Sequence, residues 1–213
     1  TAQLRHTGHA WAAVDRVFLA KGAYHAVKGP YLYRSDMTGL GEWRLSQWLR
    51  SALHKPALSI PLMDGHGLSD SQAQAAQGVL SHTLACLAGG PGTGKTYTAR
   101  EVVRSLVAAG IAPVGCAFTG AAASRLAEST GLAASTIHRL LGYDGESYAV
   151  RELPFGAVVV DECSMLSAGL LSALVWRTPP GCRVILLGDP DQLPPVEPGD
   201  PFRAMVEHVP TYR

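Results

Sequence analysis

From Leu68 to the end of the chain, short apolar runs alternate with stretches of helical periodicity. The runs Thr83–Ala88, Pro113–Phe118, Ala157–Val160 and Arg183–Leu187 read as strands. Helices are expected between them near Ser71–Leu80, Lys95–Ala109, Gly120–Ser129, Ser135–Leu141 and Ser167–Val175. Strands alternating with helices in this way predict an α/β fold, a mostly parallel sheet covered by helices on both faces. Before residue 68 the pattern differs. Two helices are expected, at Ala10–Lys21 and Gly41–Leu53, followed by a stretch from Lys55 to Gly67 punctuated by Pro and Gly. In the second helix Leu45, Trp48, Leu49 and Ala52 share one face. The expected organisation is a small, mainly helical subdomain and linker over 1–67 and the α/β domain over 68–213.

Composition narrows the class. The chain has 213 residues, 47% apolar and 16% charged, with a net charge of +1, so it is neither disordered by composition nor basic enough for charge alone to imply nucleic acid. A chain of this size buries roughly 70% of its unfolded surface, enough for a core without disulfides or structural metal. Charge is uneven, however: residues 1–55 hold eight Lys or Arg against three Asp or Glu, and residues 56–213 hold ten against fourteen. No apolar run approaches the ~20 residues that span a bilayer. Residue 1 is Thr and no basic-then-apolar leader follows, which predicts no secretory signal and a piece of a longer protein. Cys86, Cys116, Cys163 and Cys182 lie 30, 47 and 19 residues apart, without a C-x-x-C pair or zinc spacing. They are expected to be reduced and buried, in keeping with a cytoplasmic location.

Chemistry concentrates at strand ends. Gly89-Gly90-Pro91-Gly92-Thr93-Gly94-Lys95-Thr96 follows the first strand of the α/β part and opens a helix, a complete G-x-x-x-x-G-K-[ST] phosphate loop. Its glycines let backbone N–H groups turn inward around a phosphate, and the helix start adds free donors and the positive end of its dipole. Lys95 is expected to reach the β- and γ-phosphates and the Thr96 hydroxyl to ligate Mg²⁺. The run Val158-Val159-Val160-Asp161-Glu162 supplies the complementary carboxylates, Asp161 for the magnesium and Glu162 as general base for an attacking water.

A third segment, Leu186-Leu187-Gly188-Asp189-Pro190-Asp191-Gln192-Leu193-Pro194-Pro195-Val196, resembles motif III of superfamily 1 DNA helicases. Other stretches stand in that family's order. Leu68-Ser69-Asp70-Ser71-Gln72 looks like the Q motif, Ala117-Phe118-Thr119-Gly120-Ala121-Ala122 like motif Ia, Ser135-Thr136-Ile137-His138 like the segment after it, and Asp161-Glu162-Cys163-Ser164-Met165 like motif II. The combination is closest to RecD-like helicases, and Thr7-Gly8-His9-Ala10 and Tyr31-Leu32-Tyr33-Arg34 resemble the stretch that long RecD-like proteins carry before the helicase core. The resemblance implies a RecA-like P-loop NTPase fold binding ATP and Mg²⁺. It implies that Gln72 reads the adenine, that Gly90, Pro91, Gly92, Thr93, Gly94, Lys95, Thr96 and Tyr97 line the nucleotide, and that Gln192 senses the γ-phosphate. It also places Phe118, Thr119, Ser124, Thr136 and His138 along single-stranded DNA, through hydroxyls and helix-start N–H groups on phosphates. Residue type alone leaves Gln72 open as an ordinary solvated helix-start residue, His138 as a core histidine, and Phe118 as an inward-packing ring. Residues 142–155, with Asp144-Gly145 turn chemistry, are open as a strand-separating pin or a plain surface loop.

Superfamily 1 helicases close two RecA-like domains on ATP, the second supplying arginines. Only 21 residues follow Gln192, too few for a second domain. Such arginines are worth about 10³ to 10⁵ in rate, so the chain is expected to bind ATP better than it hydrolyses it. Three readings follow: the first motor domain of a RecD-like DNA helicase moving 5′ to 3′ and unwinding duplex in recombination or repair; another superfamily 1 motor, such as a conjugative relaxase-helicase or an RNA helicase; or a stand-alone P-loop nucleotide-binding module.

Overall fold

In a computed structural model that describes residues 25–26, 32–33, 37–54, 58–63, 65, 67–197 and 199–213, the four apolar runs form four neighbouring parallel strands. The elements in chain order are β1 (His25–Ala26), β2 (Leu32–Tyr33), α1 (Met37–His54), α2 (Asp70–Leu80), β3 (Leu84–Ala88), α3 (Lys95–Ala108), β4 (Pro113–Ala117), α4 (Gly120–Thr130), β5 (Ala134–Thr136), α5 (Ile137–Leu140), β6 (Ala157–Asp161), α6 (Ala168–Val175), β7 (Arg183–Gly188), α7 (Pro201–His208) and β8 (Thr211–Tyr212). The strands β1 and β2 pair antiparallel with each other. The other six form one parallel sheet in the order β5-β4-β6-β7-β3-β8.

The four inner strands β4, β6, β7 and β3 are largely apolar because both their faces are covered, and successive residues enter different cores. Leu84, Cys86, Val114, Cys116, Val158, Val160, Val184 and Leu186 face one core with Leu45 and Leu49 of α1, Leu170, Leu171 and Leu174 of α6, and Phe202 and Met205 of α7. Ala85, Leu87, Val159, Ile185 and Leu187 face the other, with Ala76, Val79 and Leu80 of α2, Val102 and Leu106 of α3, and Leu126 of α4. Helix α1 therefore belongs to the core of the α/β domain. Its apolar face is the expected one, and Trp48 Nε1 adds a hydrogen bond to Thr178 Oγ1 at 3.1 Å. The helix expected at Ala10–Lys21 lies outside the described residues.

Arg183 at the start of β7 is only 7% exposed. Its guanidinium donates to Leu80 O (2.9 Å) and His82 O (3.0 Å) at the end of α2, and to Leu58 O. It thereby satisfies a helix C-terminus and fixes the incoming chain against the sheet.

The structure corrects one expected element. Ser135 and Thr136 are strand residues of β5, and the helix expected from Ser135 is a single turn, Ile137–Leu140, capped by the Thr136 hydroxyl. Parallel pairing of Gly115 with Ala134 and Ala117 with Thr136 overrides the local preference, and a Cβ at Gly115 would stand only 2.8 Å from that of Ala134. The four cysteines are free and buried. Among the described residues no helix is long and apolar enough to cross a membrane.

Candidate nucleotide and nucleic-acid site

The parallel sheet brings the sequence motifs to one edge, since chain segments leaving β3, β7, β6 and β4 emerge side by side at the carboxyl ends of the strands. Strand β7 lies between β3 and β6, so Asp189–Gln192 emerges between the phosphate loop and the carboxylates.

The phosphate loop turns through Gly92 and Gly94, with φ of +74° and +81°, a region in which a side chain is strained. Helices α2, α4, α5, α6 and α7 each begin with a side-chain oxygen cap, from Ser69, Thr119, Thr136, Ser167 and Asp200. Helix α3 begins at Gly94 with none, so its first-turn N–H groups remain for an anion. Thr93 Oγ1 closes the loop on Gly90 O at 2.9 Å. Lys95 Nζ donates to Gly89 O and, at 2.8 Å, to Gly90 O, which holds the ammonium against the loop.

Asp161 ends β6, and burial pushes its carboxyl above the usual carboxylate range, opposed by the Glu162 N–H that donates to its Oδ1 at 2.8 Å. Thr96 Oγ1 and Asp161 Oδ2 have no side-chain hydrogen bond among the described residues, so this pair could hold a divalent cation beside the phosphate loop. Glu162 has φ +53°, the one positive value outside glycine among the described residues. This backbone turns its carboxylate toward α4, where Oε1 accepts from Arg125 Nη2 at 2.5 Å and Oε2 from Thr119 Oγ1 at 3.2 Å. Gln192 Oε1 accepts from Ser164 Oγ at 3.1 Å, tying the third motif to the second. Neither Arg125 nor Ser164 stood among the residues expected from sequence. The serine sits three residues after Asp161 in a quoted motif, whereas the arginine carried no local signal.

A family model described as an AAA domain matches residues 67–213. The chain belongs to this family, as a RecD-like member. It is 39% identical over 183 residues to the ATP-dependent RecD2 DNA helicase of Deinococcus radiodurans, covering 81% of this chain and 26% of that protein. It is 37% identical over 173 residues to the RecBCD enzyme subunit RecD of Mycolicibacterium smegmatis, covering 67% of this chain and 31% of that protein. The chain thus spans between a quarter and a third of these relatives. The crystal structure of Pif1 helicase from Candida albicans superposes with a TM-score of 0.50 at 24% identity, over 68% of this chain and 39% of that one, and so shares the fold.

In this RecD-like domain Gln72 is more than a solvated residue. Its Oε1 accepts from Ser69 N at 3.0 Å in a capping box, and its Nε2 points at Thr93 O at 3.5 Å across the phosphate loop. A carboxamide carries two lone pairs and two N–H groups, so one of each stays available to a purine. A Cβ at Gly94 would lie 2.4 Å from Gln72 Nε2, so the glycine is required for this approach too. Tyr97, exposed on α3, lies under the Arg100 guanidinium, 4.3 Å from its ring centroid.

The residues expected along DNA share the same edge. Phe118 is 37% exposed and points outward, lining a groove of about 600 Å³ with Met165, Gln192, Leu193, Pro194 and Val196. Thr119 caps α4, and Ser124 is exposed on the same helix. Thr136 stands beside Ala117 in register and caps α5. His138 is half-buried with its ring 5.2 Å from Tyr143, between the two arrangements that residue type left open. Residues 142–155 contain one antiparallel bridge, Tyr143 to Tyr148, around a turn in which Asp144 Oδ1 accepts from Glu146 N and Ser147 N at 2.9 and 2.7 Å. Those donors hold the Asp144 carboxyl below its usual range.

Proposed function

We propose that this RecD-like domain is the ATP-binding motor domain of an ATP-dependent DNA helicase that moves on single-stranded DNA and unwinds duplex. The observation that carries the reading is the shared sheet edge: the uncapped phosphate loop, Asp161 and Glu162, Gln192 and the Phe118 groove emerge on adjacent strands. ATP would lie with its phosphates on Gly90–Gly94, Lys95 and the first turn of α3, and its adenine toward Gln72 and Tyr97. Mg²⁺, held by Thr96 and Asp161, would neutralise charge developing on the phosphates. Glu162 takes the proton of the attacking water, and Gln192, reached through Ser164, reports the γ-phosphate to the strand side. DNA would run over Phe118, Thr119, Ser124, Thr136 and His138, with an unstacked base against the Phe118 ring. Hydrolysis at full rate requires arginines from a second RecA-like domain, worth about 10³ to 10⁵ in rate.

Glu162→Gln in the complete gene product tests the reading. The amide keeps the shape but accepts no proton, so ATP binding persists and phosphate release stops. Unaltered turnover in that variant would sink the assignment.

A further inference from the structure

The general base is tied down from the DNA side. Both Glu162 carboxylate oxygens are engaged, Oε1 by the Arg125 guanidinium at 2.5 Å and Oε2 by the Thr119 hydroxyl at 3.2 Å. The left-handed backbone at Glu162 directs the carboxylate toward α4, and the two donors there hold it in that place. Thr119 uses the same oxygen to accept from Ala122 N and so begins α4, which couples the start of that helix to the base. The pair is asymmetric in exposure: the Arg125 side chain is 64% exposed and that of Glu162 25%. Solvent, and any strand crossing the start of α4, meets the arginine first. Ser124 beside it is exposed as well.

We propose that Arg125 is a latch shared by two anions, the Glu162 carboxylate and a backbone phosphate of the nucleic acid. In the structure it holds the carboxylate. The carboxylate meets the guanidinium through one Nη2 contact alone, whereas a backbone phosphate of equal charge offers it a planar two-point match, so a strand lying over α4 draws Arg125 away and frees Glu162 for the water. Arg125 is thus a positioning residue that restrains hydrolysis until a strand is bound. The inference rests on the nucleic-acid-dependent reading above.

The test is phosphate release by the complete gene product, with and without oligo(dT), for wild type, Arg125→Ala and Arg125→Lys. In Arg125→Ala the DNA-free rate rises about two- to fivefold, the range a partly exposed ion pair supports, and the stimulation ratio falls in proportion. Arg125→Lys restores part of the restraint. In parallel, the salt dependence of oligo(dT) binding flattens by about one phosphate contact in Arg125→Ala. A purely structural role predicts a lower rate with and without DNA, and no opposite movement of DNA-free turnover and DNA affinity. A DNA-free rate that stays level or falls at unchanged melting temperature overturns the latch, and a higher rate with an unchanged salt slope overturns the competing phosphate. Wild type that ignores oligo(dT) altogether instead refutes the helicase reading, and the DNA-free rate still judges the hold of Arg125 on Glu162.

Discussion

Replacing Lys95 by Met removes one ammonium and keeps most of the side-chain volume. An ammonium has three donors, and in the structure two of them go to Gly89 O and Gly90 O. The third, with the charge, remains for phosphate. A hydrogen bond to a charged group is worth about 1.5–3 kcal/mol, so ATP should bind Lys95→Met about 10- to 150-fold more weakly. Stability should change little, because the loop at Pro91–Thr93 is exposed and water can reach the two carbonyls. The assay is a fluorescence titration with a labelled ATP beside a thermal melt. AMP provides the control: without β- and γ-phosphates it should bind both proteins alike. An ATP affinity within twofold of wild type, at equal melting temperature, would refute the placement of Lys95 on the phosphates.

Arg183→Met strips buried donors from Leu80 O, His82 O and Leu58 O. It should cost about 3 kcal/mol, seen as a fall in melting temperature on the order of 6–12 °C. Burial pushes Cys86 and Cys182 up to about 12 from an ordinary thiol value of 9.0, so at pH 8 about one in 10⁴ is thiolate and an alkylating reagent should modify them only after unfolding. Because the folded values are raised, the unfolded chain ionises first as pH climbs, and this contribution to stability should be lost from about pH 9 upward, followed by base titration of the melting temperature. Phe118→Ala should weaken oligo(dT) binding by about 1–3 kcal/mol, the worth of one stacked base, in a filter-binding or anisotropy measurement, while leaving ATP affinity unchanged.

What could be read in advance follows burial. Strands β3, β4, β6 and β7 are covered on both faces, and continuous apolar runs announced them to within a residue or so at each end. The edge strand β5, Ala134-Ser135-Thr136, has no apolar run and exists through pairing with β4, so in sequence Ser135 and Thr136 read as a helix start. Strand β8 is two residues held on β3 at the other edge. Helix α7 did carry local signals, Asp200 as cap, Pro201 in the first turn and buried Phe202 and Met205, which the punctuation by nearby prolines obscured. At the site, Lys95, Asp161 and Glu162 could be named because their chemistry fixes spacing from a strand end, and Gln192 because its segment resembles a helicase motif. Arg125 could not. An arginine in mid-helix reads as solvated surface, and only the adjacency of β4 and β6 brings it to a carboxylate 37 residues away.

The central claim is that this sheet edge turns over ATP in response to a DNA strand once the site is completed. Phosphate release with and without oligo(dT), by residues 1–213 and by the complete gene product, tests it most directly. Residues 1–213 should bind ATP yet release only a trace of phosphate, indifferent to oligo(dT), and the complete product should be strongly stimulated. A complete product unresponsive to oligo(dT), or robust stimulated turnover by residues 1–213 at every protein concentration, would contradict the account.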